Sequence, residues 1–238
     1  MVLHEVFAGL TSSLIIAPIM TIIDISIIKS QMQKQSLSKS ITDNITFYSA
    51  NRKSFIKPMN IMNVVYTSTY CTANLTEFFC KKNGIDYKIP TLLATSAVNI
   101  LTIMYKDSTY SQLLKKQAST KFPLKSNMLF AVRDMSTIMT CFIWKKDVVN
   151  YMDKYMAHNK SEVIASIFMP SLIQILSTPL HILAIDIYEH PEHTLQERIK
   201  RIPSIYRSVL LGRILRAVPA FGIGGFINDM LRPTRDFT

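Results

Sequence analysis

From Val163 to Ile185 the chain reads VIASIFMPSLIQILSTPLHILAI, a stretch in which His181 is the only ionisable side chain. A helix rises about 1.5 Å per residue, so about 20 apolar residues span the hydrocarbon core of a bilayer. Three more runs have this character: Val6–Ile23, Pro58–Thr76 and Ile89–Tyr105, none of which contains Asp, Glu, Lys or Arg. Four such runs exceed what the core of a soluble 238-residue chain uses. Two weaker segments complete the set: Phe130–Trp144, interrupted by Arg133 and Asp134, and Val209–Ile227, interrupted by Arg213 and Arg216. Together they predict an all-α membrane protein with six transmembrane helices. The segments are about Leu3–Lys29, Met59–Lys81, Ile89–Lys116, Ser126–Met152, Glu162–Tyr188 and Ser204–Arg232. The competing reading of the weak pair is two amphipathic helices lying on the membrane surface.

Composition agrees. Charged residues make up 18% of the chain, below the roughly 25% usual for soluble domains. Lys and Arg number 27 against 16 Asp and Glu. This excess sits between apolar runs rather than along one face, which suits contact with a lipid bilayer and points away from nucleic acid. Basic residues flank the runs on both sides, so the positive-inside rule gives no orientation. Cys71, Cys80 and Cys141 form no CxxC and no even framework, so neither a disulfide scaffold nor a zinc module is expected. Met1–Glu5 holds a histidine and an acid rather than a basic leader, so any targeting signal is expected to be internal.

Three stretches align without gaps. They are Ile16–Asp24 (IAPIMTIID), Ala97–Tyr105 (AVNILTIMY) and Ser177–Ile185 (STPLHILAI), and their anchors Pro18, Asn99 and Pro179 are almost evenly spaced. Each anchor is followed about two helical turns later by an acid: Asp24, Asp107 and Asp186. In the partner helices, Arg133-Asp134-Met135-Ser136 and Arg216-Ala217-Val218-Pro219 are separated by nearly the same interval. The pattern predicts one domain, 1–238, built of three two-helix repeats at about 1–82, 83–158 and 159–238. Pro18, Pro179 and Pro219 are the expected helix kinks, since each removes an N–H and frees a carbonyl.

Six spans, repeats that each take up a third of the chain, and a proline in the first helix of a repeat resemble the mitochondrial carrier family. In the third repeat, Pro179, an amphipathic stretch at Thr194–Ile202, Tyr206-Arg207-Ser208 and Arg216-Ala217-Val218-Pro219 follow its order. Ser177–His181 and Pro219–Gly222 look like a divergent fungal group of carrier-like mitochondrial proteins. The resemblance implies a pseudo-threefold bundle in the mitochondrial inner membrane, spanning it several times around a basic central cavity. It implies gates too. Carriers place an acid two residues after the proline and a base three further on, but here those positions hold Met20, Leu101 and His181, then Ile23, Met104 and Ala184. A substitute ring of Asp24, Asp107 and Asp186 with Lys29, Lys106 or Arg198 is one alternative. At the opposite end Asp229 and Arg232 keep the acid-x-x-base pattern as a gate ion pair. Glu77 with Lys81, and Lys145 with Lys146 and Asp147, fall out of register.

Arg133, Asp134, Arg213 and Arg216 are the candidate substrate-binding residues of the cavity. A guanidinium within a membrane must be paired or hydrated, and its fork suits a carboxylate or phosphate. The plainer alternative is an internal pair of Arg133 or Arg216 with Asp134 or Glu77. Thr72, Asn74 and Thr76 read as interhelical hydrogen-bonding residues, and Gly222, Gly224 and Gly225 as a site of close helix approach. His190 and His193 form His-x-x-His, read as solvated surface rather than a metal site. No catalytic motif, cofactor or metal is expected, and the chain reads as no enzyme. Two functions remain. One is transport of a small anionic or zwitterionic metabolite; the other is a non-transporting, carrier-derived partner of an inner-membrane complex.

Overall fold

The computed structural model describes residues 1–33, 36–113 and 124–232, and every regular element among them is helical. Helix α1 is Val2–Gln33, α2 Leu37–Ala50, α3 Arg52–Lys82, α4 Lys88–Leu113, α5 Leu124–Ile138, α6 Lys145–Met152, α7 His158–Glu189, α8 Leu195–Ala217 and α9 Gly224–Leu231. A π-helical turn, Met139–Trp144, joins α5 to α6 without a break, and another, Val218–Ile223, joins α8 to α9. The result is six long rods where the sequence predicts its six segments. Among the described residues, three stretches are long and apolar enough to cross a membrane: Val2–Ile27, His158–Ile187 and Val209–Leu231. Lys88–Ile103 is a shorter apolar helix. Thr, Asn and Tyr side chains thin the apolar run of α3, and Arg133 and Asp134 interrupt that of α5.

One helix is additional to the six segments, and one local prediction needs correction. The polar stretch after α1 contains a helix, α2, started by Ser36, whose hydroxyl accepts from the Lys39 N–H at 3.3 Å. That is ordinary N-cap chemistry. Pro203 does not end a short helix, because α8 runs through it. Pro203 and Ile199 are both exposed, which leaves the carbonyl freed by the proline open to solvent. Pro18 and Pro179 lie inside α1 and α7 as expected, whereas Pro219 falls within the second π turn.

Neighbours follow chain order: α1 packs on α3, α3 on α4, α4 on α5, α5 on α7 and α7 on α8, and α9 returns to α1. The start of α1 meets the end of α9, where Arg232 bonds Glu5 at 2.7 Å. The apolar core joins Ile16, Met20 and Ile23 of α1 to Met62, Tyr66 and Tyr70 of α3. Polarity is otherwise turned inward. Ser12, Thr69, Asn74, Thr95 and Gln174 are buried, while Leu14, Leu101, Leu176 and Leu211 are each more than half exposed. Water would penalise that exterior, and lipid favours it. This is a membrane protein.

Close approach holds the ring together. A Cβ on Gly222 would lie 2.7 Å from the Ser166 carbonyl oxygen, and one on Gly224 would overlap the Tyr70 hydroxyl and Ile16. Tyr70 donates to the Ala220 carbonyl inside the π turn, where the Gly224 N–H reaches back five residues to Pro219. Asn74 and Asn228 exchange amide hydrogen bonds of 2.8 and 2.9 Å. The Gly222, Gly224 and Asn74 expectations are met in this packing.

Candidate functional site

Charged and polar side chains inside the ring form three groups. The first lies where the chain ends meet. Glu77 of α3 takes Lys146, Lys81 at 2.8 Å and Arg232 at 2.9 Å. Lys145, 3% exposed at its side chain, pairs with Asp229, and Arg232 reaches on to Glu5. Five rod ends are thereby tied: α1, α3, α6, α9 and, through the approach of Lys145 to Ser166 at 3.5 Å, α7. The expected gate pair is not the main contact. Arg232 and Asp229 are 4.0 Å apart, and each has nearer partners on other helices. One turn of helix points the two side chains at different neighbours. Glu77, Lys145 and Lys146, out of register in sequence, carry the closure. The pocket they line with Asn74, Thr91 and Asn228 has room for about one water molecule.

The second group is central and is organised by α7. Arg133 pairs with Asp134 at 2.6 Å, stacks on Phe130 at 4.8 Å and donates to His181 Nδ1 at 2.8 Å. A guanidinium only donates, so Nδ1 accepts and the imidazole proton lies on Nε2. Arg213 donates to Gln174 Oε1 at 2.5 Å and Ser177 Oγ at 2.9 Å. Its Nε, buried, has no partner among the described residues. Arg133 thus meets α7 at His181 and Arg213 meets it at Gln174 and Ser177, with Asp134 as the acid paired to the first of them. Arg216 reaches outward to Asp24 at 3.1 Å. Arg133, Asp134 and Arg213 therefore lie along α7 while Arg216 turns to Asp24, and none of the four lines the small pocket of the first group. Gln174 is an addition, and His181, noted in the sequence only as the ionisable residue of its run and at a gate position, joins the cavity group. The signal lay in their position, one helical turn either side of Ser177 and Thr178 on the face of α7 that meets α5 and α8.

The third group lies toward the other end. Asp24 is held by Lys106 at 2.6 Å and by Arg216, and Asp186 by Arg198 at 2.7 Å and Arg201 at 2.9 Å. Asp24, Lys106, Asp186 and Arg198 thereby realise part of the substitute ring. Lys29 instead bonds Asn44 of α2 at 2.6 Å, and the Asp107 side chain lies outside the described residues. Internal pairing of Arg133 with Asp134 occurs, but Arg216 pairs with Asp24 rather than with Asp134 or Glu77.

An apolar-walled bundle of helices, with ion pairs at both ends and guanidinium groups between them, belongs to the class of helical membrane proteins. Residues 8–235 match the family model described as probable citrulline exporter, and the chain belongs to that family. No curated protein and no solved structure matches it significantly. The family match overturns the resemblance to mitochondrial carriers: Pro-anchored repeats and Arg-x-x-Pro are features that any kinked, charged-core bundle can develop. The mitochondrial inner membrane and a carrier-derived partner role rested on that resemblance and have no other support.

Proposed function

We propose that the protein exports a small zwitterionic amino acid of citrulline-like chemistry, bound at the Arg133–Asp134–Arg213–Arg216 cluster and released by alternate opening of the two charged ends. The observation that carries this reading is that Arg133 and Arg213 both bond to α7, with one buried donor, Arg213 Nε, unpartnered among the described residues. A carboxylate takes two parallel N–H donors from such a fork. Asp134 offers an acceptor for an α-ammonium group, and Gln174, Ser177 and His181 suit a neutral ureido group that both donates and accepts. The name of the family supports this substrate class. Ion pairs that break and re-form at the two ends provide two states. On this reading all six rods cross the bilayer as three hairpins of one domain, and the chain transports without catalysis.

Reconstitution tests it. Proteoliposomes loaded with unlabelled citrulline should accumulate labelled citrulline by exchange, with ornithine, which replaces the ureido group by an amine, competing poorly. Folded protein that exchanges no citrulline above protein-free vesicles would overturn the proposal.

A further inference from the structure

The connection from α7 to α8 reads His190-Pro191-Glu192-His193. Pro191 fixes φ at the second position of a turn, and the His193 N–H closes it on the His190 carbonyl at 3.2 Å. The first and fourth residues are thereby brought face to face. Their imidazole rings stack with centroids 4.5 Å apart and planes 19° from parallel. Glu192 Oε1 lies 3.3 Å from His190 Nδ1 and 3.9 Å from His193 Nε2. One ligand atom from each of the three residues falls within 4.8 Å of the other two. The far edge of His193 is also engaged: Nδ1 is 3.3 Å from Asp186 Oδ2, the carboxylate held by Arg198 and Arg201. Arg201 Nη1 approaches this Nδ1 edge at 3.2 Å, away from Glu192.

We propose that this turn is a binding site for a divalent transition metal of the zinc class. His190 and His193 each supply an imidazole nitrogen, Glu192 a carboxylate oxygen, and Asp186 acts as a positioning residue. Two imidazoles and a carboxylate are a ligand set that zinc accepts, with ligand distances of about 2.0–2.2 Å. The three atoms must draw closer by about an ångström, which side-chain rotation in a surface turn supplies. Binding through His193 Nε2 selects the tautomer whose Nδ1–H donates to Asp186, the carboxylate–histidine–metal arrangement that orients such ligands, and Arg201 then gives up its contact with Nδ1 and keeps its bond to Asp186. The His-x-x-His spacing lacks a third ligand only if Glu192 is left out, and the turn includes it. A bound ion would cross-link the end of α7 to the start of α8. The site stands independently of the transport reading.

The full chain in detergent micelles is titrated with ZnCl2 against a chromophoric chelator, and with Co2+ monitored by visible absorption. One ion per chain is expected, together with a Co2+ ligand-field spectrum of nitrogen and oxygen ligation. His190→Ala and His193→Ala should each weaken binding at least about tenfold. Asp186→Asn should do so too, with Asp186→Glu restoring affinity. The wild type taking up no ion, or the folded His190→Ala/His193→Ala double variant binding zinc as tightly as the wild type, overturns the site.

Discussion

Arg213 and Gly224 show how single side chains set the interior. Two bonds from one Arg213 nitrogen anchor it on α7, so the rest of its fork stays aimed inward. Lysine would keep the charge and lose the fork. Arg213→Lys should therefore retain the fold and lower citrulline exchange about ten- to a hundredfold, the size of one charge-assisted hydrogen bond of about 1.5–3 kcal/mol. Uptake by proteoliposomes, with circular dichroism as the folding control, checks this. Gly224 is a packing position. Its missing side chain lets α9 lie against Tyr70 and Ile16, so Gly224→Ala should destabilise the bundle by about 1–3 kcal/mol, read as a lower unfolding midpoint in detergent. GIGG announces this close approach in the sequence. Nothing there announces that Tyr70, 150 residues away from Ala220, is what it accommodates.

At the scale of elements, α8 owes its start to a capping box. The Thr194 hydroxyl accepts from the Glu197 N–H at 3.4 Å, and Glu197 accepts from the Thr194 N–H at 2.7 Å. The backbone bond from Thr194, then the side-chain bond, hold the Glu197 carboxyl below the usual glutamate range; His193 and Arg198 nearby act in the same direction. A lowered folded-state pKa means the unfolded chain binds more protons, so stability rises with pH through this window. The contribution of the cap should be complete above the ordinary glutamate pKa and vanish as pH falls through the lower folded value. Glu197→Gln should abolish that acid dependence, measured as the pH profile of thermal unfolding. Thr194 followed by Glu197 is legible in sequence. The helix that follows extends well past the expected Ile202, because nothing in the residues says that solvent accepts the carbonyl freed by Pro203. The π turns at Met139–Trp144 and Val218–Ile223 were equally unreadable, since an added residue per turn leaves no compositional mark.

Across the whole molecule, buried ion pairs tie rods together at the end of the bundle where α1 and α9 meet. Lys145 of α6 and Asp229 of α9, 84 residues apart in the chain, pair inside the bundle. Removing one partner of a buried pair costs about 3–5 kcal/mol, largely through the charge left behind. Lys145→Asp should therefore destabilise strongly, and Lys145→Asp/Asp229→Lys should recover much of the loss, as seen in unfolding midpoints of the four proteins of this cycle. Lack of recovery would show that the two charges do not face each other. The sequence places both residues near rod ends, but its register argument ranks Asp229 with Arg232, because spacing along one helix says nothing about which neighbour each side chain meets.

Hydrophobic run length by itself determined that this chain belongs in a membrane as helices, because a bilayer of fixed thickness imposes a length and a composition on whatever crosses it. The positions of Arg133, Asp134, Arg213 and Arg216 within those runs marked the polar middle for a similar reason: a guanidinium in lipid must find partners. Who those partners are was decided only in three dimensions. His181 for Arg133, Gln174 and Ser177 for Arg213, Asp24 for Arg216 and Glu77 for Lys146 each join different rods. Ion pairs depend on separations of a few ångströms, and those separations follow from how helices rotate and kink against one another, not from their order along the chain.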